Sequence, residues 1–97
     1  MSYFFGEAAR IEHLEHVAYY EEQQPGLGAR YLAAFDAAME TICGHPERFR
    51  VDLAPGIRRY RVPGFPYSIL YRQSGPDIEV LVVAPHRRRP GYWLGRL

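Results

Sequence analysis

Lysine is absent from the 97 residues, so all twelve basic side chains are arginine. Each cation is therefore a planar fork suited to carboxylate or phosphate, and none can give up a proton to serve as a catalytic base. Cysteine is nearly absent too. A lone Cys43 excludes an internal disulfide and points to a reducing cytoplasm. No apolar run reaches the roughly 20 residues of a membrane-spanning helix. The opening Met1–Gly6 also lacks the basic start and long apolar stretch of a signal peptide. The expectation is a cytoplasmic chain with no membrane partner. There are no internal repeats and no low-complexity tracts. With 47% apolar and 24% charged residues, the composition is that of an ordinary globular protein, and the length fits one domain over residues 1–97.

The net charge of +1 conceals an asymmetry. Residues 1–47 carry two arginines against eight acids, a balance of −6, whereas residues 48–97 carry ten arginines against three acids, a balance of +7. Two readings stand side by side: acidic helices pairing internally with a basic sheet, or a basic half that meets a partner.

Hydrophobic periodicity outlines the elements. Ser2–Phe5 reads as a short strand ended by Gly6. From Glu7 to about Gln23, the residues Ala8, Ile11, Leu14, Val17 and Ala18 share one helical face, with Glu12, Glu15, Glu21 and Glu22 turned elsewhere. Gln24-Pro25-Gly26 breaks that helix. A second runs from about Leu27 to Cys43, with Tyr31, Phe35, Ala38 and Ile42 as its stripe and Gly44 as its stop. The short connection makes the pair an antiparallel hairpin. After a loop from His45 to Gly56, Ile57–Val62 alternates: Arg58, Tyr60 and Val62 share one face, and Arg59 and Arg61 project from the other. Turns at Pro63–Pro66 and Ser74–Asp77 separate the strands Tyr67–Gln73 and Ile78–Ala84, giving a three-strand meander. A last helical turn is expected around Tyr92. The expected fold is α+β, in the order β-α-α-β-β-β, with the helix hairpin packed on one face of a mainly antiparallel sheet.

The apolar run Val80–Ala84 is stopped by Pro85 and followed by His86, Arg87, Arg88, Arg89, Pro90-Gly91 and the pair Tyr92-Trp93. Donors, charge and aromatic surface are thus held at the mouth of a rigid strand. His13 and His16, a helical turn apart beside Glu12 and Glu15, lack the order of a zinc helix motif and read as solvated side chains, so no metal and no cofactor are expected. Cys43 reads as core packing rather than as an activated thiol, and His86 as a strand-end cap before a base.

The runs Gly56–Val62, Phe65–Arg72 and Val80–Trp93, in this order of elements, resemble the RelE/ParE superfamily of bacterial toxins. The resemblance implies a RelE/ParE-like fold and the toxin of a type II toxin–antitoxin pair of the kind associated with plasmid stabilisation. Its partner would be a cognate antitoxin that wraps the toxin, with operator DNA reached only through the antitoxin. ParE-like members inhibit DNA gyrase by binding it; RelE-like members cut messenger RNA on the ribosome. Cutting RNA needs a proton acceptor, a proton donor and charge stabilisation. In a nuclease here those roles would fall to Arg59, Arg61, His86, Arg88 and Tyr92, with no lysine to help. A ribosome-bound nuclease is also expected to be strongly basic, unlike this chain. The ParE-like, non-enzymatic reading is therefore favoured over a metal-independent endoribonuclease or an inactive member that only binds antitoxin. The expected target surface is Arg59, Arg61, Arg87, Arg88, Tyr92 and Trp93. The aromatic load implies an exposed apolar groove, filled by the antitoxin against Ile11, Leu14, Tyr31 and Phe35.

Overall fold

A computed structural model describes residues 1–97. The elements run β1 (Tyr3–Phe5), α1 (Glu7–Gln23), α2 (Leu27–Gly44), β2 (Val51–Leu53), β3 (Ile57–Arg61), β4 (Tyr67–Ser74), β5 (Asp77–Pro85) and a closing 3-10 turn, Leu94–Arg96. One five-stranded sheet has the order β1-β5-β4-β3-β2. The meander is antiparallel, and β1 alone runs parallel to its neighbour β5. This is the expected α+β fold with one strand more. β2 lies in what reads as loop in the sequence, because three exposed residues at a sheet edge carry no burial pattern.

The two helices cover one face. Tyr31, Phe35, Ala38, Met39 and Ile42 of α2 are buried against Val62, Tyr67, Ile69, Tyr71, Ile78, Val80 and Val83. The hairpin turn needs Gly26 at φ 87°, in the left-handed region. Glu21 accepts hydrogen bonds from the Gly26 and Gly28 N–H groups at 3.1 Å, satisfying donors that the start of α2 would otherwise leave open. A Cβ on Gly28 would lie 3.1 Å from the Val17 carbonyl oxygen, so this glycine sets how closely the helices approach.

α1 is rotated from the face its apolar residues suggest. Ile11 and Leu14 are 47% and 54% exposed. The buried positions are Ala9, Glu12 and His13, with His16, Val17 and Tyr20 half-buried. The cause lies in the sheet edge. β1 pairs with β5 only from Ile78 to Val80, leaving later backbone groups of β5 without a strand partner. Side chains of α1 and the C-terminus supply the missing bonds. The Glu12 carboxylate accepts the Val83 N–H at 3.0 Å, His16 Nε2 lies 3.0 Å from the Val83 carbonyl, and Arg96 donates to the Leu81 carbonyl at 3.1 Å. His13 and His16 are thus not solvated. His13 packs among the rings of Phe5, Tyr31 and Phe35, and burial lowers its pKa.

The sheet's other face carries a second core of Ile57, Leu70, Leu81, Val82, Ala84 and Trp93. The register passes from Leu70↔Val82 to Tyr71↔Val80, so Leu81 is the extra residue of a bulge. The bulge puts Leu81 and Val82 together in the second core and keeps Val80 and Val83 on the helix side. Of the aromatic residues, only Tyr3, Phe4 and Tyr19 are exposed. The anticipated aromatic groove is therefore mostly interior packing. Cys43 is half-buried beside the main core, and burial pushes its thiol pKa up.

Candidate functional site: an arginine cleft buttressed by a buried carboxylate

Strand register builds the site. Arg61 pairs with Ser68, and Ser68 with Ala84, in one row across β3, β4 and β5; Arg59, Leu70 and Val82 form the next. Their side chains leave the sheet on the face opposite the helices. His86 follows Ala84 by two residues. Its N–H donates to the Pro66 carbonyl at 2.9 Å, and its Nε2 lies 3.0 Å from Ser68 Oγ. Two concavities adjoin here. One, of about 540 Å³, is lined only by Arg50, Arg59, Arg61, Ser68 and His86. The other, of about 350 Å³, shares Arg50, Arg59 and His86 and adds Arg88, Arg89 and Trp93 among its walls. Asp52 is its one acid, accepting from Arg59 at 3.1 Å and lying 3.5 Å from Arg50. Burial, then the Arg61 and Arg59 charges, hold the His86 pKa below its ordinary 6.5.

The wall beyond Pro90 is fixed from behind. Arg96 meets Glu12 with both guanidinium nitrogens at 2.8 Å, and the Tyr92 hydroxyl donates to the same carboxylate. Burial pushes the Glu12 pKa up, but the bonds from Arg96, Tyr92 and the Val83 N–H outweigh it and hold the group below its ordinary 4.5. Burial and the bond to Glu12 raise the Tyr92 pKa strongly. Arg88 lies 4.0 Å above the Tyr92 ring, a cation–π contact that sets its direction. The chain end is thereby tied to the first helix and to the edge of β5.

The expected site residues divide accordingly. Arg59, Arg61, His86, Arg88 and Tyr92 come together around the cleft. Arg87 does not: it points toward α1, 5.9 Å from the Tyr19 ring. Trp93 is 3% exposed and supports the cleft from within the second core rather than offering contact surface. Tyr31 and Phe35 are fully buried, so in the folded chain they present nothing to a partner, unlike Ile11 and Leu14. Sequence reasoning passed over Arg50, Ser68, Asp52 and Arg89 as members, and Glu12 and Arg96 as the buttress. Strand alternation from the buried Tyr67 is the signal that would have marked Ser68; nothing local marks Glu12.

Residues 3–90 match the sequence model of a family described as ParE toxin of the type II toxin–antitoxin system parDE. The chain belongs to the ParE toxin family. A solved structure described as the chromosomal ParDE toxin–antitoxin system from P. aeruginosa superposes with a TM-score of 0.74 at 17% identity. The match covers 88% of this chain and 95% of that one, and shows a shared fold. No curated protein matches the sequence. As a ParE family member, the chain is a toxin of the type II class. No helix of this ParE family member is long and apolar enough to cross a membrane.

Proposed function

We infer that this ParE-type toxin acts by binding DNA gyrase and inhibiting it, and that a cognate antitoxin holds it inactive in the cytoplasm. The observation that carries the reading is the state of Tyr92. Its hydroxyl is committed to Glu12 and its proton is held tightly, which takes one of the candidate nuclease residues out of proton transfer. The arginines stay charged, and His86 is engaged with Ser68. The cleft can therefore stabilise an anion, but with Tyr92 committed it leaves His86 as the one group placed to move a proton, where RNA cleavage needs both an acceptor and a donor. A binding surface centred on Arg59, Arg61 and Arg88 fits such a site better than a catalytic one.

For the antitoxin, the open positions Ile11, Leu14 and Tyr19 on α1 offer apolar anchors, each at least 46% exposed. A concavity of about 460 Å³ between α2 and β1, lined by Met1, Tyr3, Asp36, Met39, Glu40, Cys43 and Gly44, offers a second seat. Operator DNA is reached through the antitoxin. The test sets two assays side by side with toxin freed of antitoxin: gyrase supercoiling of plasmid DNA, and messenger RNA cleavage on translating ribosomes. Loss of supercoiling with RNA intact is the expected result. RNA cleavage with supercoiling unaffected would overturn the reading and make His86 and Tyr92 catalytic suspects.

A further inference from the structure

We propose that the arginine cleft docks the sugar–phosphate backbone of duplex DNA, so that the toxin grips the DNA its target holds as well as the target itself. The source of the DNA rests on the gyrase reading above; the phosphate chemistry rests on the cleft alone.

Three observations lead there. First, the charge is not neutralised internally. The carboxylate of Asp52 serves Arg59 and Arg50, while Arg61, Arg88 and Arg89 form no ion pair. Guanidinium groups gathered around one concavity repel one another until a polyanion enters, and arginine forks with a serine hydroxyl are suited to phosphate oxygens. Second, the concavity formed by Arg50, Arg59, Arg61, Ser68 and His86 has no apolar lining residue. A duplex backbone offers such a wall of donors a phosphate acceptor at every step, whereas a protein surface meets it only at single carboxylates.

Third, the aromatic groups beside the cleft are already occupied. Single strands are recognised by stacking splayed bases on exposed aromatic faces. Here Trp93 is 3% exposed, and the Tyr92 ring is faced by Arg88 at 4.0 Å and by Arg96 at 5.5 Å. Neither the Tyr92 ring nor the Trp93 ring is open to a base. What remains reads backbone and not sequence, which is the demand made by duplex DNA on an enzyme that acts at many sites.

The balance of −6 over residues 1–47 weakens the long-range attraction, so the chain alone should hold DNA loosely, with the target enzyme supplying the second contact. Neutralising two or three phosphates gives a slope of about −2 to −3 in a plot of log affinity against log salt. The probe is a labelled duplex of about 20 base pairs, with the matching single strands of DNA and RNA, titrated with the full chain at low salt by fluorescence anisotropy. The expected result is duplex binding with that slope, shallower by about one in Arg61→Ala. Arg61 is exposed, and circular dichroism will verify that the variant folds.

No duplex binding, an unchanged slope in Arg61→Ala, or a preference for single-stranded RNA would overturn the proposal. Supercoiling measured on the same preparations separates the two levels. Inhibition without DNA binding leaves the gyrase reading standing and removes this one. DNA binding without inhibition does the reverse.

Discussion

Replacing Glu12 by alanine removes at one stroke the acceptor for Arg96, for the Tyr92 hydroxyl and for the Val83 N–H. Removing one partner from a buried ion pair costs about 3–5 kcal/mol, because the other charge is left without compensation. The Arg96 side chain is 25% exposed, so water recovers part of that loss and the lower end, about 3 kcal/mol, is expected. A domain of this size has roughly 5–15 kcal/mol in hand, so the variant should fold yet unfold at much lower urea. Glu12→Gln keeps an oxygen for Val83 and should lose about half as much, on the order of 1.5 kcal/mol, by the scale of one charged hydrogen bond.

Urea titration followed by Trp93 fluorescence reads this directly, since Trp93 is the only tryptophan and lies in the second core. The pH dependence supplies a second reading. The folded pKa of Glu12 lies below its ordinary 4.5, so its contribution is present above that value and is lost as pH falls through the folded pKa. Glu12→Gln should therefore have a flatter acid limb than the parent. A loss under about 1 kcal/mol in Glu12→Ala, well below the buried-pair range, would refute the reasoning, as would parallel acid limbs in parent and Glu12→Gln.

Phe35→Ala should cost about 3–5 kcal/mol by calorimetry or urea titration, as a large-to-small change at a fully buried site. Leu14→Asp, on the exposed side of α1, should shift stability by less than about 0.5 kcal/mol, while weakening antitoxin binding at least tenfold by calorimetric titration. An NMR titration of His86 should give a midpoint below 6.5, moving upward in Arg61→Ala as one of the depressing charges is removed. Tyr92→Phe should lower stability by about 1.5–3 kcal/mol in urea titration, the range for hydrogen bonds to charged groups, while the ring that Arg88 faces is kept.

Much of the fold was legible because the buried face of α2 and the meander obey simple periods. Tyr31, Phe35, Ala38 and Ile42 fall on one helical stripe, and Arg59 and Arg61 alternate away from Tyr60 as a strand demands. α1 broke the pattern, since its inward face serves backbone hydrogen bonding at the β5 edge. Glu12 and His16 therefore lie where apolar residues are expected, and Ile11 and Leu14 are left outside. No window of sequence around Glu12 contains the cause, which is that β1 stops three residues short of Val83 in β5's numbering. The site was partly legible for a similar reason. Arg59, Arg61, His86 and Arg88 stand on strands or shortly after one, whereas Arg50 immediately precedes, and Asp52 lies within, an edge strand too short to announce itself. Arg87 and Arg88 are adjacent in sequence, and the turn after Pro85 sends them to different faces.

The most direct measurement is the dose of toxin that halves gyrase supercoiling, compared between the parent chain and Arg61→Ala plus Arg89→Ala. Both side chains are exposed and form no ion pair, so the fold should be undisturbed. Two lost charge-assisted contacts of about 1.5 kcal/mol each predict a dose at least tenfold higher. An unchanged dose, with urea unfolding also unchanged, would contradict the claim that this toxin reaches its target through the arginine cleft.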